Sequence, residues 1–207
     1  MNDELELRLS RAAATLDPPA TDRERLAAAA RAAGVEDVAY AVEDSPIGRL
    51  LLAVTPRGLV RISYLDHFAK DAVLQELAAR VSPRVLEDPA ALDEPRRQLD
   101  EYFAGRRRDF ELPLDWALVG DFGRQVLGRT ARIPFGEVET YGDVARAIGH
   151  PGAARATGNA LGANPMPIVV PCHRVVRAGG VIGHYTGGRE RKLQLLALEA
   201  PQGRLDA

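Results

Sequence analysis

Reactive groups stand side by side at Pro171-Cys172-His173. Cys172 is the single cysteine in 207 residues. A thiolate is a strong, soft nucleophile, and an adjacent imidazole can take the thiol proton that masks it. The preceding run, Ile168-Val169-Val170, reads as a buried strand that ends at Pro171, so Cys172 sits where a strand leaves the core. Downstream, GGVIGHYTGG (179–188) is glycine-rich enough to fold a backbone wall around a small planar ligand. A lone cysteine is more often an inert, buried small hydrophobe. Against that bland reading stand the proline, the histidine and the glycine stretch, each weak alone.

The elements that must position this thiol follow from caps and periodicity. A helix over 121–132 buries Phe122, Val126 and Leu127, and IPFGE is a turn. Thr140, with Asp143 three residues on, is a capping-box variant that opens a short helix ended by Gly149. His150-Pro151-Gly152 turns the chain into a second helix over 153–161. Two short helices on a tight turn are a helix-turn-helix candidate, although many such corners bind nothing. The second helix, AARATGNAL, is unusually small, which lets its backbone approach another surface closely. Upstream, VAYAVE, RLLLAV and LVRISYL are three strands separated by Ser45-Pro46-Ile47-Gly48 and Thr55-Pro56-Arg57-Gly58, an antiparallel meander. Helices follow over 71–81 and from Asp93, the latter burying Leu92, Leu99, Tyr102 and Phe103 and stopping at Gly105. Arg106-Arg107-Arg108 reads as a solvated loop, and FELPLDWALVGD as a linker.

The expected class is α+β in three pieces. Residues 1–36 form a helical extension whose second helix spans 21–33, and residues 37–117 form a small antiparallel sheet with helices. Residues 118–207 form a mostly helical domain with the helix-turn-helix and a short active-site strand. Apolar residues make up 46%, enough for real cores. No apolar run is long enough to cross a bilayer, and the charged start MNDELELRLSR has no signal core, so a cytoplasmic protein is expected. One cysteine excludes an internal disulfide and a multi-cysteine zinc site. Net charge is −2, but residues 118–207 carry 11 Lys and Arg against 7 Asp and Glu. The half holding the thiol is therefore basic, which favours an anionic partner.

Taken together, these segments resemble the O6-alkylguanine-DNA alkyltransferases, the methylated-DNA–protein-cysteine methyltransferases. The resemblance rests on Asn164-Pro165, Pro171-Cys172-His173-Arg174-Val175, Gly183-His184-Tyr185-Thr186-Gly187-Gly188 and Leu195-Leu196-Ala197-Leu198-Glu199. It extends upstream through Ile133–Glu137, Thr140–Ala145 and Gly152–Ala156, and to Ser45–Gly48 and Tyr102–Gly105. It covers about residues 38–200 and leaves 1–36 outside.

The resemblance implies a ribonuclease H-like N-terminal domain and a suicide repair protein, spent after one turnover, with no cofactor and no metal. Cys172 accepts the alkyl group, and His173 deprotonates it through a water held by Glu199. Asn164 ties the helix-turn-helix to the active-site strand. Tyr141 helps rotate the damaged nucleotide out and Arg155 fills its place, with Thr140 and Ala154 also at the DNA. The backbones of Cys172 and Val175 accept from the guanine amino group, and Tyr185 and Thr186 belong to the loop closing over the base. The partner is double-stranded DNA containing O6-alkylguanine, with O4-alkylthymine left open. The protein is a monomer, at the nucleoid when bound. Base flipping is what such chemistry requires, because a guanine O6 substituent is out of reach in the stack.

Four positions depart from the family's pattern: Leu127, Gly162, His184 and Arg189. Three other readings compete. A non-catalytic damage-binding protein would lack the acceptor cysteine, and a thiol hydrolase would not need a helix-turn-helix. A transcription regulator would carry more base-reading side chains than Arg155 and Asn159.

Overall fold

The computed structural model describes residues 20–34 and 37–200. Strands β1 (Val38–Glu43), β2 (Leu50–Thr55) and β3 (Gly58–Tyr64) form the expected antiparallel meander. Alternate residues of β2 enter different cores. Leu51 and Ala53 join Val38, Tyr40 and Val60 under α2 (Lys70–Arg80), which contributes Val73 and Leu77. Leu50 and Leu52 face Leu92, Leu99 and Tyr102, the last two from α3 (Asp93–Phe103). Burial of both faces explains why β2 reads LLLAV, an unbroken apolar run rather than an alternation.

The sheet has a fourth strand that periodicity did not mark. β4 (Val85–Glu87) runs parallel to β1, giving the order β3-β2-β1-β4 and a mixed sheet. At three residues it is too short to carry a pattern. The helix expected over 21–33 is α1 (Ala20–Ala32), packed against β4, and Gly34 follows at φ +65. The first helix expected in the extension lies outside the described residues.

FELPLDWALVGD is more than a connector. Leu59 N–H donates to Pro113 O at 2.9 Å and Asp115 N–H to Leu59 O at 2.8 Å, so the segment straps the β3 edge. Gly58, at φ +129, allows this approach, since a Cβ there would collide with the Pro113 carbonyl. In the Arg106–Arg108 run, Arg107 is held by Glu101 and by the Asp109 carbonyl, and Arg108 lies over the Phe135 ring.

The C-terminal half is mostly helical: α4 (Asp121–Thr130), α5 (Tyr141–Ala147), α6 (Ala154–Gly162) and α7 (Gly188–Glu199). The two-residue strands β5 (Glu139–Thr140) and β6 (Val175–Val176) pair in parallel. No helix among the described residues is long and apolar enough to cross a membrane.

One expectation is corrected. Ile168-Val169-Val170 is fully folded into the core but is not a strand. Val170 N–H donates to Met166 O at 2.9 Å, closing a turn, and Ile168 sits at φ +77. That region is disfavoured for a β-branched residue, so the turn is held by what packs around it. The short strand beside the cysteine is β6, which follows it.

Candidate active site

The helix-turn-helix is α5 and α6, packed on each other and on α4. Thr140 caps α5 with a complete capping box. Its side chain accepts from Asp143 N–H, and the Asp143 carboxylate accepts from Thr140 N–H at 2.9 Å. Because β5 ends at this cap and β6 begins three residues after Cys172, the short ladder fixes Tyr141 relative to the thiol. The small residues have geometric reasons. Gly158 of α6 lies against the Tyr141 ring, and a Cβ on Gly183 would collide with the Tyr141 hydroxyl.

A cleft of about 950 Å³ opens between these helices and the glycine-rich segment. It is lined by Thr140, Tyr141, Ala154, Arg155, Tyr185 and Thr186, all singled out from sequence. Arg155 is exposed near the start of α6, while Tyr141 is half-buried. Thr186 Oγ1 donates to Gly162 O at 3.1 Å, tying the glycine-rich segment to the end of α6. His184 also lines the cleft and is exposed, and so does Arg177, which sequence reading passed over.

Cys172, His173, Asn164, Val175 and Glu199 lie behind this cleft rather than on its surface. Cys172 opens a 3-10 turn and is 3% exposed. Asn164, just past α6, donates through Nδ2 to Val170 O at 2.9 Å and to Cys172 Sγ at 3.2 Å. It therefore ties the helix-turn-helix to the cysteine turn, not to a strand. Burial pushes the thiol up to about 11, against the pull of the Asn164 amide and the Lys192 charge.

His173 is fully buried, and its Nε2 lies 2.9 Å from Glu199 Oε1. Burial lowers the imidazole's pKa and favours its neutral form, with Glu199 pulling the other way. Burial would raise the Glu199 carboxyl, but donors from His173, Arg174 and Tyr102 outweigh it and hold the group to about 2. An ionised carboxylate only accepts, so Nε2 carries the proton and Nδ1 presents a lone pair. That Nδ1 is buried and has no partner among the described residues. The arrangement holds an unfilled proton acceptor on the residue next to the thiol.

The surroundings of Glu199 were missed from sequence. Arg174 donates through Nε to Oε2 and through Nη2 to Oε1, both at 2.8 Å, and Tyr102 donates to Oε1 at 2.7 Å. Lys192, also fully buried, donates to Val175 O, so one acceptor site on that carbonyl is taken. The available signal was Arg174 itself. A charge inside VVPCHRVV demands a buried carboxylate.

Fold and site thus define a thiol-acceptor protein built on a helix-turn-helix, with a second α/β layer braced against it. Residues 121–201 match the DNA binding domain of 6-O-methylguanine DNA methyltransferase, and residues 38–116 match that family's ribonuclease-like domain. A methylated-DNA–protein-cysteine methyltransferase from Mycolicibacterium paratuberculosis is 42% identical over 163 residues, 78% of this chain and 92% of its own. The mouse protein of that name is 41% identical over 172 residues, covering 77% and 80%. The crystal structure of Mycobacterium tuberculosis O6-methylguanine methyltransferase aligns at TM-score 0.69 and 40% identity, over 82% of this chain and 96% of that one. The same organism's OGT in complex with DNA aligns at TM-score 0.67 and 41% identity, over 79% and 96%. The chain belongs to the methylated-DNA–protein-cysteine methyltransferase family.

Proposed function

We propose that this protein repairs DNA by direct reversal, binding the duplex through α5 and α6 and moving the alkyl group of a flipped O6-alkylguanine onto Cys172. The observation that carries the proposal is the buried thiol, held by Asn164, next to an imidazole whose Nδ1 is free and whose Nε2 is committed to Glu199. As the base is seated, the thiol proton passes through a bridging water to His173 Nδ1, and the imidazolium is stabilised by Glu199. The S–C bond forms as the C–O6 bond breaks, and the Tyr141 hydroxyl supplies the leaving guanine with its proton. Burial raises the Tyr141 pKa, which keeps that phenol protonated. Arg155 occupies the gap left in the stack, while the Cys172 and Val175 backbones and the segment of Tyr185 and Thr186 enclose the base. Thr140 and Ala154 meet the DNA beside Tyr141 and Arg155.

S-alkylcysteine is a stable thioether, so each chain acts once. The reading treats 37–117 and 118–207 as two domains of one monomer acting in the cytoplasm. Separate family matches to 38–116 and 121–201 support that division. A non-catalytic damage-binding role would leave the Cys172–His173–Glu199 arrangement without use. The test is a duplex containing O6-methylguanine. Intact mass rises by about 14 Da, one methyl replacing one hydrogen per chain, and Cys172→Ala abolishes the rise but keeps binding. Turnover beyond one equivalent, or transfer by Cys172→Ala, overturns the mechanism.

A further inference from the structure

Tyr185 is a wall between two spaces. One side lines the cleft, and its ring stands at 87° to the buried His173 ring with centroids 6.3 Å apart. Its hydroxyl reaches away from the C-terminal half and meets the Tyr64 hydroxyl at 2.8 Å. Tyr64 is the last residue of β3, is fully buried, and sits at the far side of the chain's sequence. Neither phenol can ionise near neutrality, because burial raises both, so the contact is a neutral hydrogen bond.

Tyr64 is itself clamped. The Arg191 guanidinium lies 4.6 Å from its ring centroid, bonds to the carbonyls of Ile47 and Gly187, and pairs with Asp66. Gly187 leaves room for the paired rings, since a Cβ there would lie 2.6 Å from Tyr64 and 2.9 Å from Tyr185. β3 is anchored to the cysteine-side backbone by Ile62 N–H donating to Pro165 O at 2.8 Å. So the second phenol stands on a rigid base, and the first, itself buried, lines the cleft.

We infer that Tyr64 is a positioning residue that sets substrate size, by holding the Tyr185 ring against the cleft and so limiting the O6 substituent that fits above Cys172. The inference rests on the proposed alkyl transfer. A methyl group needs no displacement of the wall. A benzyl group does, and must work against the Tyr64–Tyr185 bond.

The test compares rates of Cys172 alkylation by free O6-methylguanine and free O6-benzylguanine, which involve no DNA. Tyr64→Phe keeps the ring and its packing and removes only the tether. The benzyl-to-methyl rate ratio is expected to rise by roughly two- to tenfold, the worth of one neutral hydrogen bond. Tyr185→Phe is expected to raise the ratio alike, and the double variant no further. A merely structural Tyr64 would lower the melting temperature and leave the ratio unchanged, which overturns the inference, as would a fall in the ratio. Failure of the alkyl-transfer reading is separate, because wild type would then acquire no alkyl group from either base.

Discussion

At the residue scale, the resting site is a protonated thiol, a neutral imidazole and a carboxylate. Burial holds Cys172 up to about 11 while Glu199 is held to about 2. Such a thiol differs from the exposed, low-pKa thiols of redox proteins. On the proposed mechanism its nucleophile is made as the base is seated and His173 takes the proton. Iodoacetamide, which needs preformed thiolate, is therefore expected to label the folded protein slowly at pH 8. Labelling should accelerate roughly tenfold per pH unit toward the thiol's pKa, as the thiolate fraction does. Methyl transfer from DNA should not share that slope between pH 7 and 8. Labelling at pH 8 as fast as that of a free cysteine would show that burial does not raise the resting thiol's pKa. The thiol, the histidine and the carboxylate were all legible in the sequence, because reactive types stand in a recognisable order. The pairing of Arg174 and Tyr102 with that carboxylate was not: Arg174 signalled a buried partner, but which one depends on which distant element packs there.

At the element scale, capping chemistry was the most legible feature. Thr140 and Asp143 form the reciprocal pair their spacing implied, and Gly34, Gly105 and Gly149 follow helices at positive φ. Caps are local, so sequence reports them directly. β4 and the turn at Ile168 were illegible for the converse reason. One owes its strand geometry to β1, and the other is an apolar run bent by its tertiary setting. Helix α6 carries the sharpest prediction. Arg155 is exposed near its start, lining the cleft across from the glycine-rich segment. If it filled the stack, its planar guanidinium would matter and an ammonium would substitute poorly. Arg155→Lys and Arg155→Ala are both expected to slow repair of duplex DNA by tenfold or more, about 1.4 kcal/mol. Reaction with free O6-benzylguanine, which needs no flipping, should be nearly unchanged. Equal slowing on both substrates would make Arg155 a structural support of the cleft.

At the scale of the whole molecule, the N-terminal layer is part of the site. One apolar core runs from Leu50, Ile62 and Tyr102 through Val126 and Ile133 to Cys172 and Leu195. Polar ties cross with it, and the deepest joins α3 to the end of α7. There Tyr102 donates to Glu199, the same carboxylate that orients His173. The tie has a sign in pH. Glu199 is held below its ordinary value of 4.5, down to about 2. The stability it contributes is therefore complete above the unfolded value and is lost as pH falls toward 2. Tyr102→Phe removes one donor from the carboxylate and leaves the ring in place. The folded Glu199 value then moves back up toward the unfolded one, so less stability is gained at neutral pH and the loss, which still begins near the unfolded value, is complete at a higher pH. Stability at pH 7 is expected to fall by about 1.5–3 kcal/mol, the range for a hydrogen bond to a charged group. The acid-unfolding midpoint, followed by circular dichroism, should move to higher pH. Since His173 keeps its bond to Glu199, methyl transfer at pH 7 should persist in the folded fraction. A midpoint that stays put, with stability at pH 7 unchanged, would mean that the Tyr102 hydroxyl does not brace the Glu199 carboxylate across the two layers.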